Sequence, residues 1–230
     1  MSRLKKLVVV VVVVLGLAVG GVAWAYPSVA AAACPGCYGL RSAGDGVYVE
    51  EGVPPASVLA TVAAARRLVG DFYGGRVTSP RVLACGTDAC YTGIGGGREK
   101  GVAVLNRAVM LSPGGLDPVI ASHEMAHVEL HARVSGEVPQ WFDEGLAVVV
   151  SGDPRYLKPA GAGDRCLVEP PGPLPVTLTE WLKAASADRQ TYAKAACQVS
   201  RWLSGHGGRD GLLRLINDLN TGTPFTTATR

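Results

Sequence analysis

Aromatic residues are scarce in this chain of 230 residues, at 6% of the sequence, and charged residues make up only 18%. The net charge is +3, and the basic residues form no continuous stripe. Proteins that bind nucleic acid use basic stripes to follow phosphates and aromatic side chains to stack on bases. The composition therefore argues against a nucleic-acid partner. The length of the chain leaves room for one domain, and no internal repeat is visible in the sequence.

The long hydrophobic run at the N-terminus is typical of an export signal. Arg3, Lys5 and Lys6 precede the uncharged residues 7–25, which end in Ala-Trp-Ala. A secretory signal peptide has this pattern, and the run is also long enough for a membrane anchor. A buried core helix is disfavoured because the valine run lacks an amphipathic period. We predict that residues 1–25 are a signal peptide or N-terminal membrane anchor, so that the remainder is extracytoplasmic, either secreted or membrane-anchored.

The cysteine count agrees with export. Six cysteines follow the hydrophobic run, and an even number is typical of disulfide-bonded proteins in oxidising compartments. Short spacing favours a Cys85–Cys90 pair, and Cys166 would then pair with Cys197. Cys34 and Cys37 form one C-x-x-C, which could be a redox pair or half of a zinc site. Since no second C-x-x-C exists, we favour a structural disulfide there.

The first half of the chain predicts short strands around one helix. Residues 26–46 are rich in Ala, Gly and Pro and are predicted to form a stalk, followed by one domain over residues 47–230. Apolar spacing predicts a helix over residues 54–72. Strands are predicted over residues 47–50, 81–85 and 102–111.

The second half of the chain predicts helices. Asp117 and Pro118 are good starting residues for a helix that extends to residue 134. Residues 152–176 are rich in Pro and Gly and are predicted to be a loop. Further helices are predicted over residues 139–150, 179–187, 191–205 and 208–219. Strands first and helices afterwards indicate an α+β fold, with a small N-terminal sheet, the helix that starts at Asp117 and a helical C-terminal lobe.

A metal-binding motif lies on the helix that starts near Asp117. His123, Glu124 and His127 form H-E-x-x-H. Residues four apart lie on the same side of a helix, so both imidazoles can reach one metal ion. Glu124 can then act as a general base beside that ion without binding it. The alternative, in which these are ordinary histidines on a core helix, leaves the pattern unexplained.

A catalytic zinc ion needs a third protein ligand, and two residues are candidates. His131 lies on the same helix, about 12 Å from His123 along the axis. At that distance His131 cannot bind the same ion as His123. We expect it either to contact a metal-binding residue or to lie at the surface. Glu144 lies on the following helix, which can place it opposite both histidines. Glu129 faces away from the histidine pair and is expected to be solvated.

These motifs resemble those of the gluzincin zinc metallopeptidases. H-E-x-x-H is followed by W-x-x-E-G-x-A, here Trp141 to Ala147, and the chain is most similar to peptidase MA-like domains and distantly similar to M1 aminopeptidases. Tyr192 lies in T-Y-A-K-A-A, which resembles the Y-x-K-G-A segment of M1-like enzymes, with Ala195 in place of glycine. The resemblance covers residues 102–225. It implies a thermolysin-like zincin fold, zinc on His123, His127 and Glu144, and Tyr192 as the oxyanion donor. His206 is an alternative for the last role, although a helix cap would also explain it.

The expected function is zinc-dependent hydrolysis of peptide bonds in a peptide or protein substrate. The G-[AG]-M-E-N motif by which M1 enzymes hold a free amino terminus is absent, which favours an endopeptidase. By the same resemblance, the strand over residues 102–111 would edge the cleft and pair with extended substrate. The alternatives are a non-catalytic, zinc-stabilised binding domain of the cell envelope and an anchored interaction module in which H-E-x-x-H is accidental.

Overall fold

The computed structural model describes residues 25–170 and 172–230, and its sheet contains five strands. The sheet order is β1-β2-β3-β5-β4, with the two outer pairs antiparallel and β2, β3 and β5 mutually parallel. β4 is therefore an edge strand. The strands are β1 (Leu40–Gly44), β2 (Val47–Glu50), β3 (Arg81–Ala84), β4 (Gly101–Val104) and β5 (Ala108–Leu111).

The helices of the described residues occur mainly after the sheet. In chain order they are α1 (Pro27–Ala33), α2 (Pro55–Tyr73), α3 (Asp88–Gly93), α4 (Pro118–Arg133), α5 (Gln140–Ser151), α6 (Leu178–Ala187), α7 (Thr191–Gly205), α8 (Arg209–Asn220) and α9 (Phe225–Ala228). Two short 3-10 helices lie at Pro35–Tyr38 and Pro113–Gly115. The predicted α+β class is confirmed, and the predicted helices of the second half agree with the structure to within one residue at each end.

The large core joins one face of the sheet to the helices. Val82 and Val109 from the central strands are fully buried in one cluster with residues of α2, α4, α5, α7 and α8. Alternate residues of a strand point to opposite faces, so Leu83 and Met110 lie on the other face. Because the central strands are parallel and apolar on both sides, both faces need a cover.

The second face is covered by the segment that the sequence analysis assigns to a stalk. Residues 26–46 contain α1, a 3-10 helix and β1, and β1 pairs with β2. Ala31 of α1 is fully buried with Tyr91 and Ile94 from the region of α3. The stalk prediction is therefore wrong for this segment. Its small residues allow a short helix to lie close to the sheet, and they are not a sign of a linker.

The single strand predicted over residues 102–111 is a hairpin of β4 and β5. Leu105 and Asn106 have φ of 48° and 52°, which gives a tight turn between the two strands. Neither residue is glycine, so the usual sequence signal for such a turn is missing. The hairpin exposes only β4 at the sheet edge.

Glu129 is buried, so the expectation that it is solvated is wrong. Its carboxylate accepts hydrogen bonds from the backbone N–H groups of Val77 and Thr78, at 2.7 and 3.1 Å, and from the Thr78 hydroxyl. Arg133 of the same helix donates two further hydrogen bonds. The far side of α4 packs against the chain that follows α2, and Glu129 fixes that contact.

Three disulfides join the pairs that the sequence predicts. Cys34 bonds to Cys37, Cys85 to Cys90 and Cys166 to Cys197. These bonds indicate an oxidising environment. None of the helices in the described ranges has the length and apolarity needed to cross a membrane. The predicted signal or anchor segment lies outside the described residues, apart from Ala25.

Candidate metal centre

Helix α4 carries the H-E-x-x-H motif on its less buried side. Asp117 caps the helix, because its Oδ1 accepts a hydrogen bond of 2.8 Å from the backbone N–H of Val119, and Pro118 occupies the first helical position. Ala121, Met125 and Val128 are buried in the core. The helix is thereby held with the two histidines of the motif facing α5.

A glycine beside Glu144 brings α5 close to α7. A Cβ atom on Gly145 would lie 2.6 Å from the backbone oxygen of Ala195. Any larger residue would separate the two helices, since real Cβ atoms do not approach so closely. Gly145 therefore positions Glu144, on α5, and Tyr192, on α7, at one site.

The structure brings together the three residues predicted as metal ligands. Nε2 of His123 lies 3.2 Å from Nε2 of His127 and 3.4 Å from Oε2 of Glu144. His127 Nε2 lies 3.8 Å from the same oxygen. Ligand atoms at 2.0–2.2 Å from a tetrahedral ion are about 3.3–3.6 Å apart, so this triangle has the size expected for three ligands of one such metal ion. The three residues form a group that could hold a metal ion, and His131 lies outside it.

Glu124 lies beside this triangle and outside it. Burial raises the pKa of its carboxyl group, while His123 and His127 oppose the rise. A Cβ atom on Gly101 of β4 would lie 2.9 Å from Cγ of Glu124. Gly101 thus lets the edge strand approach the motif. Gly101 was not among the residues predicted from the sequence, where a glycine at the start of a strand was the available signal.

Asp143 is a charged residue of this site that was not predicted from the sequence. Its Oδ1 lies 2.6 Å from Nδ1 of His127, and its Oδ2 lies 2.7 Å from Nε2 of His131. Burial alone would raise the pKa of Asp143, but the two histidines hold it well below its ordinary value. An Nδ1–H that donates to Asp143 leaves Nε2 of His127 with a lone pair directed at the metal site.

The carboxylates around His127 favour a positive charge at this site. Burial lowers the pKa of His127, but Asp143, Glu144 and Glu124 outweigh burial and raise it. These negative charges would stabilise either a proton on the His127 imidazole or a metal ion beside it. The charge distribution thus agrees with the geometry of the triangle.

Tyr192 lines the same site from the start of α7. Its ring centroid lies 6.4 Å from that of His123, and it stacks on Tyr156 at 5.2 Å and contacts Trp181 edge-on at 5.0 Å. Burial and the charge of Glu144 raise the pKa of the Tyr192 hydroxyl. The hydroxyl therefore keeps its proton at neutral pH and can donate a hydrogen bond.

His206, the alternative to Tyr192, lies elsewhere. Its Nδ1 donates to the backbone oxygen of Trp202 at 2.7 Å, and its ring stacks on the Trp202 indole at 4.5 Å. It ends α7, where a capping histidine is favourable. The structure does not bring it to the metal triangle.

A cleft of about 240 Å³ opens beside the motif, between β4 and the loop after α5. Its walls contain Glu99, Lys100, Gly101, Ile120, His123, Glu124, Arg155, Tyr156 and Tyr192. A larger groove of about 1040 Å³ lies near His131 and Trp141, but neither Glu124 nor Tyr192 lines it. Glu124, His123 and Tyr192 all line the smaller cleft.

No protein-family model matches this chain, and comparisons with curated proteins and with solved structures find no match either. The case for a function therefore rests on the residues of the chain and their arrangement.

Proposed function

We propose that this protein is a zinc-dependent peptidase of the gluzincin type, with a thermolysin-like fold, that acts as an endopeptidase outside the cytoplasm. The carrying observation is that Nε2 of His123, Nε2 of His127 and Oε2 of Glu144 form a triangle with edges of 3.2–3.8 Å. Two imidazoles and one carboxylate are a common donor set for catalytic zinc, and three protein ligands leave one position open.

Zinc held by these residues would supply a Lewis acid that polarises a carbonyl group and makes water acidic. The remaining steps belong to side chains of the cleft. Glu124 accepts a proton from the attacking water and later passes it to the leaving amine, as a general base that becomes a general acid.

Tyr192 supports catalysis rather than metal binding. Its hydroxyl belongs to the cleft wall, next to His123, and keeps its proton. A hydrogen bond from it to the developing negative charge on the carbonyl oxygen would stabilise the transition state. A purely structural zinc site would have no use for such a donor or for Glu124.

The edge strand β4 offers a place for the substrate backbone. β4 pairs with β5 on one side only, and Gly101 and Lys100 line the cleft at its start. An extended peptide could add to this edge as a further strand, which would bring its carbonyl groups past Glu124. Binding along a strand does not require a free amino terminus, which agrees with endopeptidase action.

The compartment follows from the disulfides and from the N-terminal sequence. Three disulfides require an oxidising environment, and the segment of residues 1–25 has the charge and hydropathy of an export signal or anchor. We therefore place the peptidase outside the cytoplasm, either secreted or held at the membrane by that segment.

The test is the zinc content of the purified exported protein together with its action on a mixed peptide library. The proposal expects about one zinc ion per chain and internal cleavage that stops when a chelator removes the metal and resumes when zinc is added. Protein that carries zinc but cleaves nothing would favour the non-catalytic binding domain. Protein that binds no metal would favour the interaction module.

A further inference from the structure

The loop after α5 forms the cleft wall opposite β4 and is joined to α7 by a disulfide. Leu157 makes an isolated β-bridge with Cys166, and Cys166 is disulfide-bonded to Cys197 of α7. Asp153, at the start of the loop, is 1% exposed. Arg155 and Tyr156, which follow Asp153, line the cleft.

Arg155 is fixed by one edge of its guanidinium group. Nε donates to both carboxylate oxygens of Asp153, at 2.9 and 3.0 Å, and Nη2 donates to Oδ2. The Arg155 Cζ atom lies 5.1 Å from the centre of the Tyr156 ring. Nη1 has no acceptor among the described residues, and 44% of the side chain is exposed. One edge thus remains available to a ligand.

Lys100 is a second cation, on the opposite wall of the same cleft. Within the described part of the chain, its Nζ makes no hydrogen bond or salt bridge, although Glu99 is next to it. Glu99 is engaged elsewhere, because its Oε1 accepts from the Tyr91 hydroxyl at 3.1 Å and from the Gly97 N–H at 2.7 Å. The other carboxylate near Arg155, Asp117, caps α4.

We propose that Lys100 and Arg155 select peptides that carry a carboxylate close to the bond being cleaved. The inference rests on the proposed peptidase function and names its substrate class. A guanidinium group offers two parallel donors to a carboxylate, and Asp153 both orients this group and leaves its outer edge open. Fixing the group beforehand lowers the entropy lost on binding. The carboxylate can belong to an aspartate or glutamate side chain or to the C-terminus of a short peptide.

Peptide binding to the zinc-loaded Glu124→Gln variant of the exported protein tests this directly. Two matched pairs of fluorescent octapeptides are compared by anisotropy: a central Glu against Gln, both amidated, and a free C-terminus against an amide, both with Gln. We expect about a ten- to hundredfold tighter Kd for the carboxylate member of at least one pair. The pair that shows the preference identifies the source of the carboxylate. Equal binding within both pairs would overturn the inference.

Variants separate the two cations from the metal, which itself attracts carboxylates. Lys100→Gln and Arg155→Gln, each in the Glu124→Gln background, should lose most of the preference. Arg155→Lys should restore part of it and keeps a partner for Asp153, so a folding defect in Arg155→Gln does not decide the result. Arg41→Gln, at the far edge of the sheet, is the matched control. A preference that survives undiminished in folded Lys100→Gln and Arg155→Gln variants would assign it to the metal and overturn the inference.

The binding test and the peptidase test can fail separately. Wild-type protein that cleaves acidic and amidated peptides equally well, with equal Kd values in the variant, would contradict the substrate class and leave the peptidase function in place. Protein that prefers carboxylates, through Lys100 and Arg155, yet cleaves none of the peptides would support the binding site and contradict the peptidase function.

Discussion

Asp143 lies 2.6 Å from His127, with its Oδ1 against the Nδ1 atom that faces away from the metal site. A carboxylate in this position fixes both the ring orientation and the tautomer of a metal-binding histidine. Its second oxygen bonds to His131, whose side chain is 37% exposed. The order His131, Asp143, His127 thus leads from the surface to the ligand triangle.

Replacing Asp143 with Ala should weaken zinc binding by about 10- to 100-fold, because His127 loses the group that orients it. His131→Ala should have a much smaller effect, since Asp143 keeps its contact with His127. Competition with a chromophoric zinc chelator measures both affinities. Equal affinity in wild type and Asp143→Ala would contradict the positioning role.

Replacing Glu144 with Ala should reduce the zinc content of purified protein far more, because a metal ligand is removed. Glu137→Ala is the control, since Glu137 is an exposed carboxylate in the loop that precedes α5. Elemental analysis after dialysis against metal-free buffer gives the comparison. Full zinc retention in Glu144→Ala would show that Glu144 is not a ligand.

Replacing Tyr192 with Phe should lower kcat by about 10²–10³-fold while zinc content stays constant, because one donor to the oxyanion is lost. Tyr48→Phe, a partly buried change on the far face of the sheet, is the control. Steady-state kinetics on a peptide that the wild type cleaves provide the measurement. A change in KM alone, with normal kcat, would assign Tyr192 to substrate binding.

The disulfides should differ in their effect on stability. Cys166 and Cys197 are separated by 31 residues, so removing the bond by Cys166→Ser with Cys197→Ser should cost about 3–4 kcal/mol of unfolding free energy. Cys34 and Cys37 are only 3 positions apart in the sequence, and removing their bond should cost about 1–2 kcal/mol. Urea unfolding of the two double variants tests the order. Free thiols in the native exported protein would contradict the disulfides themselves.

Local periodicity explains why the histidines of the site could be predicted from sequence. The spacing of His123 and His127 on one helix sets their relative position, whatever the remainder of the fold. Asp143 could not be found in the same way, although it precedes Glu144. Its partners, His127 and His131, are brought to it by the packing of α4 against α5.

The errors in the fold prediction also have a tertiary cause. The small residues of α1 have the composition of a linker. Only the tertiary structure shows that they cover a face of the sheet. Leu105 and Asn106 form the β4–β5 turn without glycine, and the β4–β5 pairing holds them there. Glu129 is buried because its carboxylate accepts hydrogen bonds from the N–H groups of Val77 and Thr78, which are distant from it in sequence.

The most direct test of the central claim is the turnover of Glu124→Gln. The variant keeps the shape of the side chain and leaves His123, His127 and Glu144 intact, but it removes the carboxylate that accepts a proton from water. Zinc content should equal that of the wild type, while kcat for a cleaved peptide should fall by about 10²-fold or more. Cleavage that continues undiminished in the zinc-loaded variant would contradict the assignment of this site as the catalytic centre.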